Sequence, residues 1–275
     1  MNIFDQMVAR YEVNSNDDYK NAVHEVMQQI ALAGLYRGGF FSVSAFYGGT
    51  ALRIFHGLNR FSEDLDFSLL QPNNKFNLEI YFDSIIKEFK LLGREITIEK
   101  KNKSINSNIE SAFLKEETTI YNLRFKTEKS LKIKLEVDIN PPLGFSTEQK
   151  LLLLPFSFMT NCYTLPSLFA GKMHAMLYRS WQNRVKGRDW YDFEWYVRNN
   201  IPLDFEHFCK RCQQLNPSES TNLTPDLFRN LLKDKIVKTD LNMVKLDVKP
   251  FLKTQEEIEI WSTNYFLQLT DMIKV

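Results

Sequence analysis

The sequence predicts an α/β chain of the α+β kind, with strands concentrated in its first half and helices in its second. Three observations predict it. Leu131, Ile133, Leu135, Val137 and Ile139 alternate with Lys132, Lys134, Glu136 and Asp138, the two-residue period of a strand with one buried face. Upstream, Tyr47-Gly48-Gly49-Thr50-Ala51-Leu52-Arg53 and Arg60-Phe61-Ser62-Glu63-Asp64-Leu65-Asp66-Phe67 read as a glycine turn, a short helix, a second turn and a strand. Beyond Leu151-Leu152-Leu153-Leu154-Pro155 the apolar residues recur at helical spacing. The expected division is therefore a core of residues 1–155 with an N-terminal helix, and a helical domain of residues 156–275. With no repeat, low-complexity tract or glycine-serine linker between them, that boundary is expected to be a packed one.

In chain order, Asn14-Ser15-Asn16-Asp17 offers a helix cap, and Ala22, Val23, Val26, Met27, Ile30 and Ala31 continue at helical spacing up to Gly34. Phe40 to Tyr47 is short, apolar and bounded by glycines, a buried segment leading into Gly48-Gly49. Gln71-Pro72-Asn73-Asn74 is a turn. Leu78, Tyr81, Phe82, Ile85, Ile86 and Phe89 form the next helix, closed at Gly93. Ile96 and Ile98 suggest a strand, and Thr119 to Phe125 alternates as a half-buried one. Asn140-Pro141-Pro142 ends the strand that carries Asp138, since proline cannot donate to a ladder. Leu165-Pro166-Ser167 opens a helix with an apolar stripe of Leu168, Phe169, Met173, Met176 and Leu177, on which Lys172 is out of place. Arg188 to Val197 is another helix. Asn222 or Thr224 before Pro225 starts a third, and Thr254-Gln255-Glu256-Glu257 is a capping box for the last, with Ile258, Trp261, Tyr265 and Leu269.

Composition narrows the function classes. At 275 residues, 44% hydrophobic and 25% charged, the chain has ample material for a packed core. Its 35 basic and 34 acidic residues nearly cancel, so a nucleic-acid partner needs a local patch. Lys100, Lys101, Lys103, Lys126, Lys129, Lys132 and Lys134 are the candidates for one, although solvated strand faces look the same. Three cysteines argue against a disulfide framework and for a reducing compartment. No basic n-region with an apolar h-region opens the chain, and no run of about 20 apolar residues occurs. A soluble, cytoplasmic protein with no membrane partner is expected.

The chemistry starts from three carboxylates on two strands. Asp64 and Asp66 are two residues apart and share one strand face, with Leu65, Phe67 and Leu69 on the other. Together with Asp138 they form a set of hard oxygen donors suited to Mg²⁺, which completes its shell with water and substrate phosphates. Gly48 and Gly49 permit positive φ and close approach, and the helix beginning near Thr50 points unpaired N–H groups at an anion. A structural alternative stays open: Asp64 caps a turn, Asp66 pairs with Arg60, and Asp138 is a surface charge.

The same stretches resemble the AbiEii/AbiGii toxin family of nucleotidyltransferases, within the polymerase-β-like superfamily. The resemblance runs from Gly48-Gly49-Thr50-Ala51-Leu52-Arg53 through Asp64-Leu65-Asp66-Phe67, the Lys172 helix and Lys186-Gly187-Arg188-Asp189-Trp190-Tyr191-Asp192, so it spans roughly residues 40 to 197. It implies a nucleotidyltransferase core with a central mixed sheet and a helical C-terminal half that closes over the cleft. It further implies a toxin of a bacterial toxin–antitoxin or phage-defence (abortive infection) system, transferring a nucleoside monophosphate from a nucleoside triphosphate to RNA, with tRNA the substrate in related toxins. Mg²⁺ is the implied cofactor, and a cognate antitoxin protein the implied partner. Carried over by residue, Asp64, Asp66 and Asp138 are the metal ligands, Asp138 also activating the acceptor hydroxyl. Gly48, Gly49, Thr50 and Ser62 contact phosphate, Lys172 neutralises the triphosphate, and Asp189, with Asp192 less central, orients Lys172 or Arg188. Thr50 stands where the superfamily has Ser, which keeps a hydroxyl.

Each assignment has a plainer rival. Lys172 snorkels from an apolar stripe, Asp189 and Asp192 favour a helix N-terminus, and Arg53 and Arg60 pair with Glu63 or Asp66. The Cys209-Lys210-Arg211-Cys212 pair lacks a second ligand pair and reads as structural. Two other functions compete with RNA transfer: a catalytically silent module that binds RNA or an antitoxin, and transfer to a protein acceptor.

Overall fold

The computed structural model describes residues 2–100, 118–126, 131–178, 185–215 and 223–275. Lys101, Lys103, Lys129 and Asn222 lie outside them. The chain divides into two compact units, one of residues 1–51, 63–141 and 147–162, the other of residues 52–62, 142–146 and 163–275.

The first unit is built on a seven-stranded mixed sheet in the order β3-β4-β5-β2-β1-β7-β6. Its strands are β1 (Ser44–Tyr47), β2 (Asp64–Leu69), β3 (Ile96–Lys100), β4 (Thr118–Phe125), β5 (Lys132–Asp138), β6 (Thr147–Leu152) and β7 (Phe158–Tyr163). β2 runs antiparallel to β1 and parallel to β5, and β1 runs parallel to β7. Strands β3, β4 and β5 form an antiparallel meander. Ile133, Leu135 and Val137 are fully buried, as the alternation of β5 requires.

Strand β7 corrects the expectation that the chain turns helical after Pro155, and β6 lies just before that point. β7 lies inside the sheet beside β1 and is buried at five of its six residues, so neither face carries the polar alternation that marks a half-exposed strand. The expected boundary at residue 155 falls between these two strands.

Helices α1 (Ile3–Val8), α2 (Asn16–Arg37) and α4 (Phe82–Leu91) belong to the same unit, and α3 (Gly48–His56) leads out of β1. α1 was not anticipated; at six residues it is too short for a periodic signal. Ser15 caps α2, its hydroxyl accepting from Asp18 N–H at 3.1 Å. The helix does not stop at Gly34 but continues to Arg37. A Cβ at Gly34 would lie 2.6 Å from the Ile85 Cα, so this glycine is a notch for α4 rather than a terminator.

The second unit holds α5 (Leu165–Tyr178), α6 (Gly187–Arg198), α7 (Phe205–Leu215), α8 (Pro225–Lys238), α9 (Leu241–Val248) and α10 (Thr263–Asp271). Aromatic pairs fill its core. Phe169 stacks on Tyr196 at 4.4 Å, Trp190 meets Phe266 edge-on at 4.9 Å, and Phe208 meets Phe228 likewise. The final helix starts later than expected: Gln255–Ile258 forms one 3₁₀ turn, and α10 begins after Ser262, whose hydroxyl accepts from Tyr265 N–H. Cys209 and Cys212 are free thiols on α7. No helix among the described residues is long and apolar enough to cross a membrane.

His207 on α7 is fully buried, packed near the Phe145 and Tyr163 rings. Burial, reinforced by Arg211, lowers its pKa from 6.5 to about 4. The unfolded chain therefore takes up a proton near pH 6.5 and the native chain only near pH 4. The associated stability is complete above pH 6.5 and is lost as pH falls from 6.5 towards 4, amounting to about 2 kcal/mol at pH 5. Urea unfolding at pH 7 and pH 5 should show this loss in the parent protein, and His207→Leu should remove most of it. An unchanged pH 7-to-5 difference in the variant would show that other groups carry the acid sensitivity.

Candidate active site

β1 delivers the chain into Gly48, which has φ +84° and opens α3 directly. Of the two glycines only Gly48 takes positive φ, and the helix starts two residues earlier than expected. The antiparallel register sets Tyr47 opposite Asp66. An ideal Cβ on Gly48 would sit 2.4 Å from Asp66 Oδ2, so the glycine is required where this carboxylate lies against the backbone. Thr50 is fully buried and its hydroxyl donates to the Asp64 carbonyl oxygen, tying the first turn of α3 to the start of β2.

On β2, Leu65 and Phe67 are fully buried, which turns Asp64 and Asp66 to the opposite, half-exposed face. The parallel pairing with β5 aligns Asp64 with Lys134, Asp66 with Glu136 and Ser68 with Asp138. In-register neighbours share a face, so Asp138 is on the strand adjacent to Asp66 and on its side of the sheet. It stands two residues further along, about 8 Å away between Cα atoms by ordinary strand dimensions. The Asp138 Oδ1 atom accepts from the Asn140 N–H at 3.1 Å. Glu136 occupies the place directly beside Asp66 and forms a salt bridge with Lys134. Glu136 was not singled out from the sequence, although it belongs to the same Lys134-x-Glu136-x-Asp138 alternation.

The basic cluster is largely neutralised where it is described. Lys100, Lys126 and Lys134 lie against Glu79, Glu95 and Glu136 respectively.

In the second unit, α5 and α6 build a buried charge network. Arg60, 2% exposed, donates from Nε and Nη2 to the two oxygens of Asp192 at 2.6 Å each, and Asp192 is fully buried. The Lys172 ammonium lies 2.7 Å from Asp189 Oδ1 and 2.8 Å from Asp192 Oδ2. Burial pushes the Asp192 carboxyl up, but Arg60 and Lys172 outweigh it and hold the group below the ordinary carboxylate value. The plainer rivals therefore give way at two points: Lys172 does not snorkel to water, and Arg60 pairs with Asp192 rather than with Asp66 or Glu63. Arg53 donates to the Leu58 and Asn59 carbonyl oxygens.

Around this network the Lys186-Gly187-Arg188 stretch has structural duties of its own. A Cβ on Gly187 would meet the Val244 carbonyl oxygen at 2.2 Å, and its N–H donates to Asp247 Oδ2 at 2.8 Å, so α9 closes directly on the start of α6. The Arg188 guanidinium lies 4.0 Å over the Phe251 ring. Ser62 is half-buried in the loop before β2.

The family model described as "Nucleotidyl transferase AbiEii toxin, Type IV TA system" matches residues 30–268. The chain belongs to the AbiEii family. It is accordingly a toxin-type nucleotidyltransferase by family. Solved structures with the same fold include JHP933 from Helicobacter pylori, at 20% identity and a TM-score of 0.53, covering 92% of this chain and 89% of that one. A nucleotidyltransferase toxin from Mycobacterium tuberculosis H37Rv, MenT4, aligns at 15% identity and a TM-score of 0.59, covering 97% and 87%. No curated protein matches the chain.

Nucleotidyltransferases generally use divalent metals, which hard carboxylate oxygens hold. Among the described residues no group of three or more Asp, Glu, His or Cys side chains is drawn together tightly enough to hold an ion. Asp64 and Asp66 nevertheless offer two hard oxygen donors on one face, and Mg²⁺ is commonly held by one or two carboxylates with substrate phosphates completing the shell. The donor chemistry fits a two-carboxylate site.

Gly48→Ala tests the close approach at this site. The positive φ should cost about 1–2 kcal/mol, visible as a lowered melting temperature. The methyl group should also displace Asp66, so transfer activity should fall by roughly a hundredfold, a loss of about 3 kcal/mol in barrier terms. An alanine variant with parental activity would show that Asp66 need not lie against this backbone.

Proposed function

We propose that this AbiEii chain transfers a nucleoside monophosphate from a nucleoside triphosphate to the 3′-hydroxyl of an RNA, with tRNA the first candidate, in a Mg²⁺-dependent reaction. The observation that carries the reading is the common face of β2 and β5, where Asp64, Asp66 and Asp138 stand on adjacent parallel strands with Gly48 opened against Asp66. Asp64 and Asp66 hold the ion. When bound, Mg²⁺ supplies charge neutralisation and orientation at the phosphates. Asp138 orients the acceptor hydroxyl and takes its proton as the 3′-oxygen bonds to the α-phosphorus. The bond from that phosphorus to the β-phosphate bridging oxygen breaks, and pyrophosphate leaves. Gly48, Gly49 and the first N–H groups of α3 receive phosphate oxygens, with Ser62 as a hydroxyl contact, while the buried Thr50 hydroxyl, donated to the Asp64 carbonyl oxygen, holds the turn instead. Lys172, set by Asp189 and Asp192, neutralises the triphosphate, and Arg188 adds a second cation. The toxin acts in a cell that also makes its antitoxin, and all of this chemistry belongs to the cytoplasm.

Incubation with each α-³²P nucleotide, Mg²⁺ and total tRNA should label RNA, and chelation should stop the labelling. Label on protein alone, and only from γ-³²P nucleotide, would overturn the RNA acceptor. Lys172→Met should raise the nucleotide KM about tenfold, the worth of one charge contact, with a smaller change in kcat. Unchanged kinetics in a folded variant would reduce Lys172 to a structural ion pair.

A further inference from the structure

β6 forms one edge of the seven-stranded sheet, and among the described residues no strand pairs with its outer side. None of its residues is buried, and exposed and half-buried side chains alternate along it. Its far end is apolar: Leu151 is 56% exposed, Leu153 just beyond the strand 60%, and Met159 on β7 40%. Sheet edges are usually guarded by proline, a bulge or an unpaired charge that spoils further pairing. Between Thr147 and Leu154 there is no proline, and the two charges present, Glu148 and Lys150, lie 3.0 Å apart and neutralise each other.

The backbone of this edge has a definite phase. The Ser146 carbonyl oxygen accepts from the Thr164 N–H at 3.0 Å, and the Gln149 side-chain amide donates to Asn161 Oδ1 at 3.3 Å. Both bonds fit one antiparallel register of β6 on β7, with Ser146 opposite Thr164 and Gln149 opposite Asn161. Hydrogen-bonded and non-hydrogen-bonded pairs alternate along such a ladder. Since Ser146 bonds towards β7, Glu148, Lys150 and Leu152 turn their backbone groups inwards. Thr147, Gln149 and Leu151 turn theirs outwards, where they are a template for one more strand.

We propose that β6 pairs antiparallel with β6 of a second copy of this chain, about a two-fold axis at Gln149, joining the two sheets edge to edge. Centred there, each Gln149 N–H donates to the Gln149 carbonyl oxygen of the other copy, and Thr147 and Leu151 exchange bonds in the same way. Glu148 then falls opposite Lys150 of the second copy, and Lys150 opposite its Glu148. These are non-hydrogen-bonded positions, where Cα atoms approach to about 4.5 Å and side chains meet most closely. The exposed Leu151 packs on the second copy's Thr147. A two-fold contact has to be self-complementary, and only this centre makes the strand so. An axis at Glu148 or Lys150 sets like charges against each other. One at Leu151 sets Glu148 and Lys150 against leucines, and one at Thr147 carries Lys150 past the end of the opposing strand. The pairing does not depend on nucleotidyl transfer.

Sedimentation velocity of the full chain reads the assembly. The parent should pass from monomer to dimer between about 1 and 100 µM, as mass action requires of a modest contact. Lys150→Glu and Glu148→Lys should each weaken self-association by about tenfold or more, because each sets like charges opposite one another at both positions. An equal mixture of the two variants should recover the parent's dimer, since a strand with two glutamates then faces one with two lysines. That recovery also shows that both variants are folded. Amide exchange of the parent needs no variant: the Gln149 and Leu151 amides should exchange about tenfold more slowly at the high concentration than at the low one, while the inward Lys150 amide stays unchanged. A parent that remains monomeric throughout, a dimer that survives both charge reversals, or a dimer that leaves Gln149 and Leu151 exchange unaltered would each overturn the pairing. Protection of these amides only when a different protein is added would assign the edge to that protein and overturn it as well.

Discussion

Asp66→Ala should lower nucleotidyl transfer by about a thousandfold or more while leaving the melting temperature unchanged or slightly raised. In the proposed mechanism the activity loss follows from what one metal-binding carboxylate would contribute, several kcal/mol of charge stabilisation that no neighbour replaces. Glu136 is the nearest candidate to substitute, being in register with Asp66, but it is engaged with Lys134. The stability side follows from electrostatics. Without an ion, Asp64, Asp66, Glu136 and Asp138 crowd one face of two adjacent strands, with Lys134 as the cation in register among them. Removing one like charge relieves repulsion, as is common when a site built for function is dismantled. Thermal melts with and without Mg²⁺ sharpen the test, since added Mg²⁺ should raise the melting temperature of the parent and not of the variant. A clear fall in stability with a retained rate would mean that Asp66 is a structural partner of the Gly48 turn and no more.

Much of this was legible in the chain itself, and particular residues show where legibility ended. The alternation from Leu131 to Ile139 gave β5 nearly to the residue, because one face meets the core and the other does not. The glycines at 48 and 49 marked a turn into a helix, but not that Gly48 is needed by a side chain 18 positions further on. The mixed sheet was expected; β6 and β7 were not, because β7 is buried at five of its six residues and has no polar alternation to read, and β6 is an edge strand with no buried residue to mark a core face. Gly34 looked like a stop signal and is a packing notch, a distinction that depends on Ile85 approaching from another helix. The Asp64 and Asp66 pair was visible as a two-residue spacing. The place of Glu136 beside Asp66, with Asp138 a step beyond, depends on the register between strands 70 residues apart in sequence, which local pattern does not determine. Arg60 and Asp192 are 132 residues apart, and no periodicity connects them.

The largest expected loss of stability belongs to that last pair. Asp192 is fully buried and accepts from Arg60 through both oxygens while also facing the Lys172 ammonium. Replacing it by Asn keeps the shape but leaves the 2%-exposed Arg60 guanidinium without a counter-charge, and breaking a buried pair from one side typically costs about 3–5 kcal/mol. Chemical denaturation should show that loss. The pH dependence separates it from a packing defect. Because Arg60 and Lys172 hold the Asp192 carboxyl below its ordinary value of 3.8, its contribution is complete above about pH 4 and disappears as pH falls through the lower native value. The Asn variant lacks that titration, so its stability should fall less steeply below pH 4 than the parent's. Removing both charges together, as Arg60→Met with Asp192→Leu, should cost less than Asp192→Asn alone, since neither charge is then left buried without a partner. If the double change costs the sum of the two single ones, the pair is not coupled and the network holds the fold by packing alone. If it costs less, the two charges answer to each other, and what they secure is the loop from Leu58 to Phe61 against α6.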